Sequence, residues 1–186
     1  MKKARIIILA ALSTLIVAGG ISSCDKDDDP DPITLTLYDS LGGTAMVQDP
    51  ANPGSMIESG RLGIRSVVDS TIFVIAADNR INSYFSVLLA EVTAGDLSGF
   101  QALSENLTDF FCVATGAKNF TYAGLSMTDA HDPAKNPRIN EKVASGDFDA
   151  FIDDLGMGAE QNALPDYLIS RVAEVAASVE GDVVQR

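Results

Sequence analysis

The chain is short of the residues on which most metal, redox and nucleic-acid chemistry depends. In 186 residues there is no Trp, one His and two Cys. Two Cys cannot form a disulfide scaffold, and a lone His cannot supply a polyhistidine metal site or complete a structural zinc site. Basic side chains are scarce too: Lys and Arg total 13 against 26 Asp and Glu, a formal net charge of −13. A phosphate-binding face needs positive charge, so nucleic acid is excluded as a partner. No G-x-S-x-G nucleophile elbow accompanies the His, and no flavin or nicotinamide motif occurs. No catalytic residue is assigned.

What is present is a core-forming composition. Apolar residues make up 46% and charged residues 21%, enough for one globular domain with appendages. The appendages come first. Lys2, Lys3 and Arg5 precede the apolar run 6–17, and small residues lead to Ile21-Ser22-Ser23-Cys24. This is the basic–apolar–small layout of a secretory signal. The run is too short for a comfortable transmembrane helix, which needs ~20 apolar residues. Its ending resembles a bacterial lipobox, whose Cys is acylated and becomes the mature N-terminus, which makes Cys24 the implied lipidation site. Residues 25–32 (DKDDDPDP) are too charged and proline-rich to bury apolar surface and read as a flexible tether. They resemble the surface-export signal of Bacteroidetes lipoproteins, and they lack the Gly and closing Glu of an EF-hand calcium loop.

The expected division is a lipoprotein signal peptide over 1–23, an acidic tether over 24–33 and a folded domain over 34–186. Such a domain would lie outside the cytoplasm, its lipid in a bacterial membrane, at the periplasmic face or the cell surface. The lipid would be its one contact with the membrane. Removing 1–23 takes away three positive side chains and no negative one, moving the formal charge from −13 to −16. Cys112 is then unpaired. Within Phe110-Phe111-Cys112-Val113-Ala114 it reads as a small core hydrophobe.

Helical periodicity dominates the remainder, and strand alternation is scarce. Residues 34–41 lead into Gly42-Gly43 and read as a short first helix. Residues 48–60, rich in Pro, Gly, Asn and Ser, read as a loop. A helix follows over 62–77, ended by Asp78-Asn79-Arg80, with a short segment over 81–85. Another spans 97–114, capped by Asp96 or Ser98 and ended at Gly116. A short amphipathic piece covers 122–131, after which Pro133 and Pro137 break regularity. Phe148, Phe151, Ile152 and Leu155 share one helix face, started by Asp147 and stopped by Gly156. A last helix opens at Pro165 and turns Leu168, Ile169, Val172, Val175, Ala176 and Val179 inward. About six helices with short links make the class all-α.

The lone His131 closes the segment Tyr122-x-Gly124-x-x-Met127-x-x-x-His131. A single His is more often structural than a ligand. Haem iron, however, needs only one protein bond, and imidazole is its commonest axial ligand. C-x-x-C-H is absent, so covalent c-type attachment is excluded. Here the chain resembles the group 1 truncated haemoglobins, the bacterial two-on-two globins. Four anchors match in order. The stretch 37–43 (LYDSLGG) resembles the family's opening helix and its Gly-Gly end. Val67-Val68-Asp69, Ala77-Asp78-x-Arg80 and Tyr84-Phe85 resemble its second helix and the haem-packing Phe after it. Phe110-Phe111 with Gly116 resembles the end of the distal helix, and the segment ending at His131 resembles the proximal one.

The resemblance implies a two-on-two helical sandwich holding haem b, with His131 as the proximal iron ligand. Phe100, Leu103, Leu107 and Phe110 would form the distal wall and Phe85 would pack on the ring. Met127 and Ala130 would line the proximal side, and Phe148, Phe151 and Ile152 would close the back. The family's distal Tyr falls on Ile72, preceded by Thr71, its distal Gln on Leu107 and the other gate position on Leu103. The pocket would then offer no side-chain donor to a bound gas, unless a shift of one turn brought Gln101 or Asn106 inward. Residues 48–64 and 132–141 have no counterpart in the family and read as surface loops that cover the haem edge or dock a partner. Cations for haem propionates are few: Arg80, Lys118, Arg138 and Lys142. The implied function is binding of O2, NO or CO. The alternatives are a lipoprotein that captures and transfers haem, and a globin-fold interaction protein that has lost it. An NO dioxygenase or peroxidase-type side activity would need a reductase partner, which the sequence does not identify.

Overall fold

The computed structural model describes residues 34–186. The expected signal peptide (1–23), the expected tether (24–33) and the expected lipidation site Cys24 lie outside the described residues. The chain opens with a single helical turn, α1 (Leu37–Ser40), that owes its existence to its cap. Thr36 Oγ1 accepts from the Asp39 N–H, while an Asp39 carboxylate oxygen accepts from both the N–H and the hydroxyl of Thr36, each at 2.8 Å. This reciprocal arrangement supports a helix far too short to form alone. Gly42 and Gly43 then take φ angles of +127° and +60°, which side-chain-bearing residues resist.

The reversed chain enters an antiparallel hairpin, β1 (Met46–Gln48) and β2 (Met56–Glu58), with Val47 opposite Ile57. The hairpin replaces part of the loop expected over 48–60. Each strand has three residues, too few for alternation to register against Pro50, Pro53 and Gly54. Asp49 holds its turn, accepting from the Ala51 N–H (2.9 Å), the Asn52 amide (2.9 Å) and the Arg65 guanidinium (2.6 Å). Those three donors keep the Asp49 carboxyl well below the usual carboxylate range, Arg65 contributing most.

Helix α2 (Ser59–Ala77) starts three residues earlier than the apolar pattern indicates. Gly60 explains the early start, because a Cβ there would lie 2.8 Å from the Tyr38 ring. A 3₁₀ turn over Asn82–Phe85 and a helix not anticipated from the sequence, α3 (Ser86–Thr93), follow. Helix α4 (Ser98–Ala114) begins where Asp96 accepts from the Ser98 N–H (2.9 Å) and ends before Gly116. After α5 (Met127–Ala130), helix α6 (Ser145–Gln161) runs straight through Gly156, its expected stop. An added Cβ at Gly156 would meet nothing within 4 Å, whereas at Gly158, two residues on, it would run into the Oγ1 and backbone N of Thr71. Gly158 lets α6 approach α2 closely. Helices α7 (Asp166–Ala177) and α8 (Glu180–Val183) complete the domain, with Val179 between them. The described residues thus form eight helices against the six expected, and the all-α class holds.

Helix α2 runs antiparallel to α4. Arg61 pairs with Asp109, the Ser104 hydroxyl donates to Asp69 (2.5 Å) and Phe73 lies against Phe100 with centroids 5.5 Å apart. It is antiparallel to α6 as well: Asn162 donates to Ser66 O (3.1 Å) and Ser70 Oγ (2.9 Å), and Arg80 pairs with Asp153 (2.8 Å). Helices α6 and α7 pack on each other through a short connection. One apolar cluster joins Ile64, Val67 and Val68 to Leu155, Leu168 and Val172 around Phe111 and a fully buried Cys112. Burial pushes the Cys112 thiol up to about 11, in keeping with an inert core position. A second cluster gathers Ile75, Ile81, Tyr84, Val143, Phe148 and Val183. Among the described residues no helix is long and apolar enough to cross a membrane.

Candidate functional site

Between these helices lies a cavity of about 350 Å3, within the range of small-molecule and cofactor pockets. One wall comes from α2 through Ile72, Ile75 and Ala76. The α4 wall presents Leu103, Leu107 and Phe110 at successive turns, with Asn106 beside them. Gln101 is exposed and does not reach the cavity, whereas Asn106 does. Phe85 from the 3₁₀ turn and Leu88 from α3 form one end, and Phe148 and Phe151 from α6 form the back. Phe100 and Ile152, expected in the pocket, do not line it. Phe100 turns to Phe73 on the outside of α2, and Ile152 packs between the two apolar clusters. The α6 face at Phe148 and Phe151 is consumed by the cavity, and Ile152, one residue on, points into the packed interior.

The remaining wall carries Met127, Ala130 and His131. Helix α5 spans four residues and cannot hold itself by its own backbone bonds. Side chains from elsewhere hold it. Ser126 caps its start, accepting from the Asp129 N–H (3.1 Å). Asn136 donates to Ala130 O (2.8 Å) and Gln185 donates to Thr128 O (2.7 Å). The Met127 carbonyl, which accepts the His131 backbone N–H at 3.3 Å, also lies 2.8 Å from His131 Nδ1. A carbonyl can only accept, so Nδ1 carries the proton and the lone pair resides on Nε2. No other hydrogen bond engages the ring among the described residues. Burial holds the imidazole below its ordinary range, with the Met127 carbonyl opposing, which favours the neutral ring.

Polar groups elsewhere around the cavity are mostly committed. Tyr84 donates to Asp147 (2.6 Å), and Arg186 reaches both Tyr84 Oη (2.8 Å) and Asp147 (3.1 Å). Tyr122, edge-on to Phe110, donates to Leu125 O (2.6 Å). The segment 132–141 sends Asn136, Arg138 and Ile139 into the lining, so this stretch covers a cavity edge. Arg138 lines the cavity; Arg80, Lys118 and Lys142 do not, Arg80 being paired with Asp78 and Asp153. Among the described residues no cluster of three His, Cys, Asp or Glu could hold a bare metal ion.

No protein-family model matches the chain, and no curated protein matches it. Its structure does have counterparts. The truncated hemoglobin of Tetrahymena pyriformis in its Fe(III) form is similar over 82% of this chain and 100% of its own, with a TM-score of 0.58 and 20% identity. The 2/2 hemoglobin of Synechococcus sp. PCC 7002, solved in the cyanomet state with covalently attached heme, is similar over the same shares, with a TM-score of 0.56 and 22% identity. The fold is that of the truncated globins. In this truncated-globin fold α2 packs on α4 and on α6, α6 packs on α7, and the cavity lies between α4 and the His131 segment.

Sequence reasoning did not single out Ile139, Asn136 or Leu88 as lining residues. Ile139 sits in a Pro- and Asn-rich stretch without periodicity, and α3 is short. Nothing in their local pattern distinguishes them from loop and core residues.

Proposed function

We propose that this domain binds haem b in the cavity, in the manner of a group 1 truncated haemoglobin, with His131 Nε2 as its iron ligand and a diatomic gas as its cargo. The observation that carries this reading is a lone imidazole in the wall of an apolar cavity of a truncated-globin fold, its Nδ1 engaged by the Met127 carbonyl and its Nε2 without a hydrogen bond among the described residues. The residues present suit the group. The walls are apolar, the lone ligand has its proton parked on the other nitrogen, and the α5 carbonyls that could compete are already satisfied. Bound haem supplies an open coordination position for O2, NO or CO.

The chain's own residues set how such a gas is held. Ile72, Leu103 and Leu107 line the cavity without a donor, and Asn106, the polar side chain that α4 adds to the lining, is solvent-exposed. Bound O2 carries partial negative charge, and each missing hydrogen bond forgoes about 1 kcal/mol of stabilisation. O2 should therefore leave faster than from truncated globins with a distal Tyr, and CO should be favoured in comparison. Stopped-flow measurement of O2 dissociation tests this, and release slower than in a Tyr-bearing globin counts against it.

The decisive experiment is titration of the 34–186 domain with hemin, followed by its Soret band. A stoichiometric His-ligated spectrum is expected. His131→Ala should lose it while keeping helical circular dichroism, and added imidazole should restore it. A spectrum unchanged by the substitution sinks the reading. The same proposal places the domain outside the cytoplasm on a lipid at Cys24. Cys24→Ser should abolish incorporation of labelled fatty acid, and labelling that persists rejects the anchor.

A further inference from the structure

Arg138 lies in the segment 132–141, which the truncated-globin resemblance does not account for, and it is the guanidinium among the residues lining the cavity. Its hydrogen bonding is incomplete. Nε contacts the two carboxylate oxygens of Glu91 at 3.3 Å each, longer than the 2.7–2.9 Å usual for a charge-assisted bond. Neither Nη1 nor Nη2 donates to any described residue. The pair rests on Gly99 at the start of α4, where an added Cβ would lie 2.0 Å from Glu91 Oε2 and 3.2 Å from Arg138 Nε. The absence of a side chain on α4 therefore makes the room in which the two heads meet. Glu91 holds Arg138 from its Nε side, and the Nη1–Nη2 edge, shaped for two parallel bonds to a carboxylate, is left open.

We propose that Arg138 anchors a carboxylate carried on the edge of the molecule bound in the cavity. This inference rests on the haem reading, in which that carboxylate is a propionate. The other polar groups of the lining are poor competitors. Tyr84 and Asp147 are bound to each other and to Arg186, Tyr122 donates to Leu125 O, Asn136 is spent on Ala130 O, His131 is aligned by Met127 O, and the Asn106 amide carries no charge. A second carboxylate entering this acidic domain needs a fixed cation, and Arg138 is the guanidinium that the cavity wall provides. The inserted segment thus does more than cover the edge, because it brings the charge that orients the cargo.

The test uses the intact domain loaded with hemin or with hemin dimethyl ester, which has the same ring and no carboxylate. Release is followed by transfer to excess apomyoglobin. Arg138→Gln should speed hemin release about fivefold, the scale of a half-exposed ion pair, and leave release of the diester unchanged. Arg138→Lys should recover part of the effect. The unmodified domain should lose the diester faster than hemin. Equal acceleration for both compounds would show that the segment acts as a lid and overturns the assignment, as does no change for either. If the unmodified domain takes up neither compound, the haem reading itself falls, and this inference with it. Melting temperatures of the apo forms within a degree or so of one another would confirm that Arg138→Gln leaves the fold intact.

Discussion

At one end of the domain Ile64, Val67, Val68, Leu155 and Val172 close on one another around Phe111, and the space left over is about 10 Å3. At the other, Ile75, Ile81, Phe148 and Val183 stand around about 350 Å3. Both ends use the same kinds of side chain. They differ in what sets the spacing of the walls. At the packed end glycines let elements collapse together: Gly60 lies under the Tyr38 ring and Gly158 against Thr71. At the hollow end the walls of α2, α4 and α6 are completed by a 3₁₀ turn, a four-residue helix and an irregular segment, each held by side chains bonded to backbone. Asn140 donates to Ser83 O (2.7 Å), Asn136 to Ala130 O and Gln185 to Thr128 O. Apolar burial alone would close such a space, and a hydrogen-bonded frame keeps it open.

The largest expected contrast comes from equal truncations at the two ends. Leu155→Ala, at a position 2% exposed, should cost about 3 kcal/mol, the transfer term plus an unfilled hole. Leu103→Ala, on the cavity wall, should cost under ~1 kcal/mol in the apo domain, because its side chain already borders empty space. Urea denaturation of both variants checks this, and equal costs would mean the cavity collapses in solution.

Buried titrating groups sharpen the comparison with opposite signs. Asp154, fully buried on α6 with Arg80 Nη2 at 3.6 Å, has its carboxyl pushed up to about 6 by burial and then by the charge of Asp78. Its folded form favours the proton, so its contribution is whole below the ordinary carboxylate range and is lost as pH rises through about 6. Asp154→Asn should therefore stabilise the domain at pH 8, by about 2 kcal/mol, with the gain vanishing near pH 4. His131 goes the other way. Burial lowers it, so its contribution is present above the ordinary imidazole value and is lost as pH falls below it. In the apo domain His131→Leu should flatten the acid side of the stability profile and leave the alkaline side alone. Thermal melts from pH 4 to 8 distinguish the two.

The smallest effect tests the frame itself. Gln185→Ala removes one bond to Thr128 O and should cost about 1 kcal/mol or less globally. It should nonetheless raise amide exchange within residues 127–131 severalfold, because α5 has little else to hold it. Unchanged exchange there would show that Ser126 and Asn136 suffice.

The long helices were legible because their apolar periodicity spans several turns. Val67, Val68, Ile72 and Ile75 on α2 are all buried, and so are Phe148 and Leu155 on α6. Gly156 misled as a stop because a glycine that ends a helix and one that a helix carries on an open face, where an added Cβ would meet nothing within 4 Å, look alike in one dimension. The hairpin and α3 were not legible, being too short to show a period. Most of the expected pocket residues do line the cavity: Ile72, Phe85, Leu103, Leu107, Phe110, Met127, Phe148 and His131. Ile152 was misplaced because i, i+3 and i+4 residues share a face only to within a helix-wide arc, and that arc borders both the cavity and the packed core.

The residues themselves determined an acidic all-α domain with a lone imidazole and a surplus of apolar faces, since composition and local periodicity act over a few turns of chain. The depth of the cavity, the nitrogen of His131 left free and the delivery of Arg138 and Asn106 to the same space were decided by the tertiary structure. Each depends on groups far apart in the chain meeting at ångström separations, and only the packing of α2, α4 and α6 with the bonds that pin the short segments can set those distances.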